Sequence, residues 1–376
     1  MAGMLVARKS VPTSRTGEIL MDHHVTARIA LALSVAAISP AFIASRAAAQ
    51  GCEPIRFSTP VNLGAEGAAY QRAREWQLTL AYRRLTSNEY FVGTEEKSAL
   101  GPGGQSPIIR IHTFVADVAY SIDERFRVRL SVPVSTGSIT RKWADNLVHE
   151  QTATGIGDVS LMGEAWILTP RTHARGNIAV GLGVKAPTGS NTIASKFYAA
   201  SGPVDFPADQ VIQPGDGGWA VHLQSQAFRQ ITERTFAYVS GSYMVSPKAR
   251  TEARPSPTAV QFWSVPDVYS ARVGGVFSVL PEQGLALSLG GRMDGIPVHD
   301  LLGGGDDSTI KRTSYVMFVE PGLSLARGNG TFTVSVPLRA KVNREKSLFE
   351  QRTNGLNGGG FAKYLVFAGY SHRFHF

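Results

Sequence analysis

Histidines, an acidic pair and a single cysteine are the residues of this 376-residue chain whose types could carry out chemistry. A hydrolytic site needs a nucleophile beside its base, and His222, His299 and His372 have no recognisable serine or asparagine partner in the sequence. Cys52 is the only cysteine, which excludes an intramolecular disulfide and a multi-cysteine metal site. The acidic pair at 306–307, without further oxygen ligands, makes a poor calcium site. We therefore predict no catalytic residue, no metal and no cofactor.

Basic side chains recur at the polar positions of segments that carry an apolar residue at every second position. If the apolar residues face lipid, the basic ones face the inside of a barrel, where rings of Arg and Lys favour anions. Alternatively, these charges pair with acids such as Asp117, Glu164 and Glu320 and fill a narrow interior. The residues predicted to face inward are Arg83, Arg127, Arg129, Lys185, Arg272, Arg292, Arg339, Lys341 and Lys363.

The segments that position these charges have the period of a β-strand. Apolar and polar residues alternate from Trp76 to Arg83 and again from Phe126 to Val134, as expected for a strand with one apolar face. Most segments are long enough for the ~9 to 11 residues that a tilted membrane strand needs. The segment at 109–122 changes its apolar face partway along. The segments begin near residues 75, 109, 126, 158, 177, 219, 235, 267, 285, 314, 330 and 362.

The connections between these segments alternate between short and long. Outer-membrane barrels have short periplasmic turns and long extracellular loops, with an even number of strands, and a membrane sheet must close because lipid cannot satisfy an unpaired edge. We predict an all-β, antiparallel transmembrane barrel of about 12 strands with both ends of the chain in the periplasm. The short connections are 123–125, 169–176, 231–234, 281–284 and 327–329, and the long ones are 86–108, 135–157, 187–218, 245–266, 295–313 and 343–361.

The N-terminal region has the parts of an export signal: a basic residue at Arg28, an apolar stretch over 29–44 and small residues over 47–49. We predict a signal peptide over 1–49, with Met21 as an alternative start, a periplasmic segment over 50–74 and the barrel over 75–376. Cys52 is then either a lipidation site or a free thiol. No cluster of Lys and Arg marks a nucleic-acid surface, so no nucleic-acid partner is expected.

Aromatic residues at the C-terminus resemble the recognition signal of outer-membrane barrels. Tyr370, Phe374 and the last residue, Phe376, lie on one face of the final segment, and they imply recognition by the barrel-assembly machinery. A chance aromatic ending is the alternative. We also expect tryptophans in the aromatic belts at the membrane interfaces, and the candidates are Trp166, Trp219 and Trp263.

Three short motifs resemble the meta-pathway phenol-degradation family of outer-membrane proteins. The motif residues are Gly155, Gly157 and Asp158, then Lys185, Pro187, Thr188 and Gly189, followed by the loop at 213–218. The resemblance spans most of the chain after the export signal. It implies a transporter-like barrel for aromatic or other hydrophobic compounds without specifying the solute. Because Asp158 and Lys185 lie near the same rim on neighbouring strands, we also expect an ion pair between them.

The predicted function is an outer-membrane channel or transporter-like barrel for small, aromatic or hydrophobic solutes. Its expected partners are outer-membrane lipid, the barrel-assembly machinery and the solute, and its oligomeric state is left open. One alternative is an outer-membrane enzyme of the phospholipase type, which works through Ser, His and Asn on the lipid-facing surface. Another is a structural or adhesion barrel without transport.

Overall fold

The computed structural model describes residues 70–100, 104–303, 308–354 and 358–375. The predicted signal peptide, Cys52 and Phe376 therefore lie outside the described residues. Among those that are described, no helix is long and apolar enough to cross a membrane. One short helix, α1, spans Leu348–Arg352, and strands make up most of the rest.

The strands in chain order are β1 (Glu75–Val92), β2 (Glu95–Glu96), β3 (Ile108–Ser121), β4 (Phe126–Lys142), β5 (Val148–Ile156), β6 (Ser160–Trp166), β7 (Gly176–Lys185), β8 (Ala194–Ala199), β9 (Gly202–Pro207), β10 (Ala220–Gln230), β11 (Thr235–Val245), β12 (Phe262–Trp263), β13 (Val268–Leu280), β14 (Leu285–Ile296), β15 (Thr309–Ile310), β16 (Ser314–Arg327), β17 (Gly330–Ser335), β18 (Leu338–Asn343) and β19 (Gly359–His375).

The main sheet closes on itself as a barrel. Neighbouring strands of this sheet are antiparallel, and the last strand, β19, pairs with the first, β1, over a register that includes Trp76 with Phe374. β5 and β6 both pair with β4, and β17 and β18 both pair with β16, so each couple forms one interrupted strand. Counted this way, the described residues form the twelve strands that the sequence predicted. Closure leaves no unpaired edge for lipid to meet.

Both interruptions lie beside prolines, which remove a ladder donor. The break between β5 and β6 faces Pro133, whose carbonyl accepts a hydrogen bond from the Gly157 N–H. The break between β17 and β18 contains Pro337 itself. Part of the predicted loop over 135–157 is therefore wrong, because β4 and β5 continue as a hairpin to residue 156.

The connections alternate in length as predicted with one exception, since β4 and β5 at the long-loop end are joined by residues 143–147 only. The alternation still defines two ends of the barrel. At the short-turn end, strands are joined by residues 122–125, 167–175, 231–234, 281–284 and 328–329. At the long-loop end, the connections carry structure of their own, including the β8–β9 hairpin and a parallel β12–β15 pairing that joins two loops. Long connections at one end only are typical of outer-membrane barrels.

The outer surface of the barrel is apolar. Leu182 and Leu289 are each 61% exposed although they lie in the middle of strands, which suits a surface covered by lipid rather than water. Trp76, Tyr120 and Phe374 form a row across three adjacent strands near the short-turn end, as in an interfacial aromatic belt. The alternation that leaves these residues outside turns their sequence neighbours inward.

Candidate functional site

The interior of the barrel is filled by three layers of side chains. Contacts between strands that are not neighbours identify inward-facing residues, because such strands meet only across the lumen. Arg129 on β4, for example, reaches Gln224 on β10 at 3.3 Å. Below we call the layers the loop-side apolar layer, the charged layer and the turn-side aromatic layer.

The loop-side apolar layer consists of buried side chains from several strands and from one loop. The loop over 186–219, here called the plug loop, contributes Ile212 from a short 3-10 helix over Gln210–Ile212. A Cβ atom added to Gly137 would lie 2.8 Å from the Cβ of Ile212, so only glycine lets the plug loop approach this strand. The other large members are Leu85, Phe91, Ile109, Ile111, Ile139, Val316, Phe318, Val342, Phe361, Leu365 and Phe367.

This layer explains why the segment at 109–122 changes its apolar face. Ile109 and Ile111 are buried against the plug loop, whereas Phe114 is 59% exposed on the outside of the same strand. Inward and outward positions are both apolar on this strand, at different heights. The change of apolar face in the sequence therefore reflects two apolar environments, the barrel interior beside the plug loop and the lipid-facing outer surface.

A charged contact holds the tip of the plug loop in place. Asp209 accepts a hydrogen bond from the Val211 N–H at 3.1 Å, and both of its oxygens accept from the Arg312 guanidinium at 3.0 Å. Burial alone would raise the pKa of Asp209, but the charge of Arg312 holds it at about 2. Arg312 in turn lies over the Trp263 ring, with 4.4 Å to its centroid. The tip is thus tied to the loop over 297–313.

The base of the plug loop is fixed by the motif residues, which meet in one rim cluster. The Lys185 ammonium, fully buried at the end of β7, donates to Asp158 at 2.9 Å and also contacts Asp216. Asp158 further accepts from the N–H groups of Gly189 at 3.0 Å and Asp216 at 3.2 Å. The expected ion pair between Asp158 and Lys185 is confirmed, and it joins three segments of chain.

The motif glycines allow the backbones in the rim cluster to touch. A Cβ added to Gly189 would lie 2.8 Å from the carbonyl carbon of Gly157, and one added to Gly155 would lie 3.3 Å from Pro214. The Thr188 hydroxyl donates to the Gly157 carbonyl at 2.9 Å. Pro187 lies between these contacts, where the β7 ladder ends. The motifs therefore build the base of the plug loop.

The charged layer lies between the two apolar ones and contains most of the predicted inward-facing cations. On one side, Arg127 and Arg129 share the Glu164 carboxylate, with 3.1 Å from Arg129. On the other side, Arg272 donates to Glu320 at 3.0 Å.

The remaining cations of this layer are also paired or hydrogen-bonded. Arg292 donates to Asp294 at 2.6 Å, and Arg83 donates to the Thr113 hydroxyl at 3.0 Å. These contacts favour the paired-charge alternative over an open ring of cations.

Three further predicted cations lie outside the charged layer. Arg339 does face inward, at the long-loop end, where it contacts Glu89 and lies over the Phe91 ring. Lys341 does not face inward, and that prediction is wrong. A bulge at Ala340 shifts the register against β16, so Lys341 stands beside exposed Met317. Lys363 pairs with Glu89 at 2.7 Å but is largely exposed.

The turn-side aromatic layer was not anticipated. Trp166 is 8% exposed and packs edge-on against Phe228 across the intervening strand. Tyr238 and Phe236 extend the layer along β11. The placement of Trp166 in an interfacial belt is therefore wrong.

The other predicted interfacial and membrane-insertion residues divide between loops and the outer surface. Trp263 is buried among loops under Arg312, and Trp219 is exposed at the end of the plug loop, just before β10. Tyr370 and Phe374 lie exposed on the outer surface.

Two of the histidines that the sequence offered as candidates, His222 and His372, lie far apart in different surroundings. His222 is buried inside the barrel near the charged layer, and the His372 ring is 3.0 Å from the Tyr370 hydroxyl on the outer surface. Within the described part of the chain, no group of three or more His, Cys, Asp or Glu side chains is arranged to hold a metal ion.

Two spaces connected to solvent border the charged layer. One, with a volume of about 30 Å³, lies between the plug loop and Arg83, with Thr113 and Ile212 in its wall. The other, of about 50 Å³, is bordered by Arg272, Glu320 and Phe367. Each has room for a few water molecules, so a solute ring would have to displace side chains to enter.

Comparison with solved structures places this fold among outer-membrane channels. The COG4313 outer membrane channel from Pseudomonas putida F1 is similar over 85% of this chain and 100% of its own, with a TM-score of 0.59 and 12% identity. A Pseudomonas aeruginosa FadL homologue (TM-score 0.42, 11% identity, 81% and 91% coverage) and the Ralstonia pickettii toluene transporter TbuX (0.40, 10%, 81% and 90%) are more distant. No family model matches the chain, and no curated protein does. The chain therefore has the fold of an outer-membrane β-barrel.

Proposed function

We propose that this protein passes small hydrophobic solutes, monocyclic aromatics in particular, across the bacterial outer membrane. In this proposal the short-turn end faces the periplasm and the long-loop end faces the outside. The observation that carries the proposal is the loop-side apolar layer around Ile212, inside a barrel whose lumen would be polar in an open aqueous porin.

The energetics of the layers favour an apolar solute over a hydrated one. A small aromatic ring that loses about 150 to 250 Å² of exposure gains about 4 to 6 kcal/mol at 25 cal/mol per Å². A sugar of similar size would have to give up hydrogen bonds to water that Ile109, Ile111 and Ile212 cannot replace. The layer therefore discriminates by solvation as well as by size.

Fold similarity adds support, since the compared structure with a TM-score above 0.5 is named a channel. The finer part of this proposal is membership of the meta-pathway phenol-degradation family, which the motifs of the rim cluster resemble. Paired charges in the middle layer fit a passage that neither repels nor collects ions strongly.

The test is uptake of radiolabelled toluene by Gram-negative cells with intact lipopolysaccharide, because toluene crosses bare phospholipid without help. Cells that express the protein should take up toluene faster than cells without it, and a labelled sugar should show no such difference. Ile212→Asn should reduce toluene uptake, whereas Val260→Asn, at a 77% exposed loop position, should not. Equal uptake with and without the protein would overturn the proposal.

A further inference from the structure

Tyr70, which lies shortly before β1, occupies the turn-side aromatic layer. Its ring centroid lies 4.9 Å from Trp166 and 5.6 Å from Phe228, edge-on to both. Its hydroxyl donates to the carbonyl oxygen of His173 at 2.7 Å. A phenol group thus sits in a pocket made of two aromatic rings in T-shaped contact with it and one hydrogen-bond acceptor.

Tyr70 reaches this pocket from the far side of the barrel opening. The strand it precedes, β1, is separated in the sheet from β6 by β3 and β4, and β10 lies two strands further on. Residues 70–74 therefore run across the short-turn end. The ring belongs to a strap over the opening, and no barrel strand contributes it.

The strap is anchored at points other than the ring. The Arg74 N–H donates to the Ser121 carbonyl at 2.7 Å, and the Ser121 hydroxyl donates to Gln71 at 2.6 Å. Arg74 has a φ of 59°, a left-handed conformation that costs roughly 1–2 kcal/mol for a residue with a side chain. None of these anchoring contacts involves the Tyr70 ring.

We propose that this pocket is a binding site for a small neutral phenol, and that Tyr70 occupies it as a tethered stand-in for the solute. The inference rests on the proposed function and deepens it by naming a solute class and a site. The rings of Trp166 and Phe228 recognise a single ring through T-shaped contacts, and the His173 carbonyl recognises a hydroxyl donor. Burial raises the pKa of Tyr70, and this effect is larger than the lowering of the pKa by the Asn177 side chain. The pocket therefore suits the neutral hydroxyl.

The proposal makes the Tyr70 ring a competitor of the solute. Its hydrogen bond to His173 and its aromatic packing together should reduce the apparent affinity for phenol about tenfold or more. Removing the ring should release that affinity.

Equilibrium dialysis of radiolabelled phenol against the refolded barrel in detergent tests this. We expect Tyr70→Ala to bind phenol about tenfold more tightly than the unchanged protein, and Tyr70→Phe to fall between them because it keeps the ring but loses the bond to His173. The control is Tyr120→Ala, at a tyrosine on the outer surface, which should bind as the unchanged protein does. Anisole, which cannot donate a hydrogen bond, should compete less well than phenol.

A second variant locates the site. Phe228→Ala in the Tyr70→Ala background should weaken phenol binding about tenfold. Unchanged binding in Tyr70→Ala, or in this double variant, would overturn the proposed site. The proposed function is tested separately by toluene uptake. If the protein takes up toluene but Tyr70→Ala does not change phenol binding, the site alone is refuted. If Tyr70→Ala binds phenol as expected but the protein takes up no toluene, transport alone is refuted.

Discussion

Replacing Lys185 by methionine tests whether the rim cluster holds the plug loop. The change keeps an unbranched chain as far as the ε position and removes the ammonium group between Asp158 and Asp216. Asp158 is only 2% exposed, so its charge stays buried after the partner is lost. Breaking a buried ion pair in this way costs about 3–5 kcal/mol, which agrees with two charge-assisted hydrogen bonds of about 1.5–3 kcal/mol each.

Urea unfolding of the barrel in lipid vesicles, followed by tryptophan fluorescence, measures this cost. The matched control is Lys196→Met, whose ion pair with Asp205 at 2.7 Å is exposed to solvent and should contribute less than about 1 kcal/mol. Adding Asp158→Asn to Lys185→Met should recover part of the loss, because one uncompensated charge is removed. Single-channel recordings should show more frequent openings for Lys185→Met as the plug loop is released.

The reasoning is refuted if Lys185→Met unfolds within about 1 kcal/mol of the unchanged protein, as an exposed pair would. Unaltered opening frequency, together with a clear loss of stability, would refute the link between the rim cluster and the plug loop alone.

Three further predictions concern the other layers. Gly137→Ala should displace Ile212 and lower stability by about 1–3 kcal/mol, whereas Gly163→Ala, whose Cβ would meet its nearest atom at 3.8 Å, should not; urea unfolding compares them. Glu164→Gln should shift the reversal potential under a salt gradient toward anions, because it removes the carboxylate between two arginines, and an unshifted potential would contradict the paired-charge interpretation. Burial raises the pKa of Asp300 to about 6 despite its ion pair with Lys311, so the folded protein should lose stability as the pH rises from about 4 to 6. The urea midpoint of Asp300→Asn should depend less on pH over this range, and an equal dependence in both proteins would contradict the prediction.

The barrel could be predicted because the sequence shows two regular patterns, the alternation of apolar and polar residues and the alternation of short and long connections. Alternation locates most strand starts, and the lengths of the connections reveal which end is which. The rim cluster could be predicted in part, since Asp158 and Lys185 stand at adjacent strand ends. The break between β5 and β6 could not, because residues 148–156 also alternate and nothing local marks them as strand rather than loop.

The interior was harder to predict because inward residues follow no single polarity. A bulge at Ala340 inverts the faces of one strand and moves Lys341 outside. Trp166 has the alternation of an outward residue only if the interior is assumed to be polar. Ile212 is an apolar residue within a long loop, which is a weak indication that it is buried. Tyr70 lies before the first alternating segment, so no pattern in the sequence indicates its position.

The order of the three layers has a consequence for the kinetics of passage. Two apolar compartments separated by a charged one amount to a free-energy profile with two wells and a barrier between them. A solute ring would dwell in either well and lose most of its apolar contact while crossing the middle. Uptake should therefore saturate at high solute concentration, and its temperature dependence should report the height of the charged barrier rather than the width of the barrel.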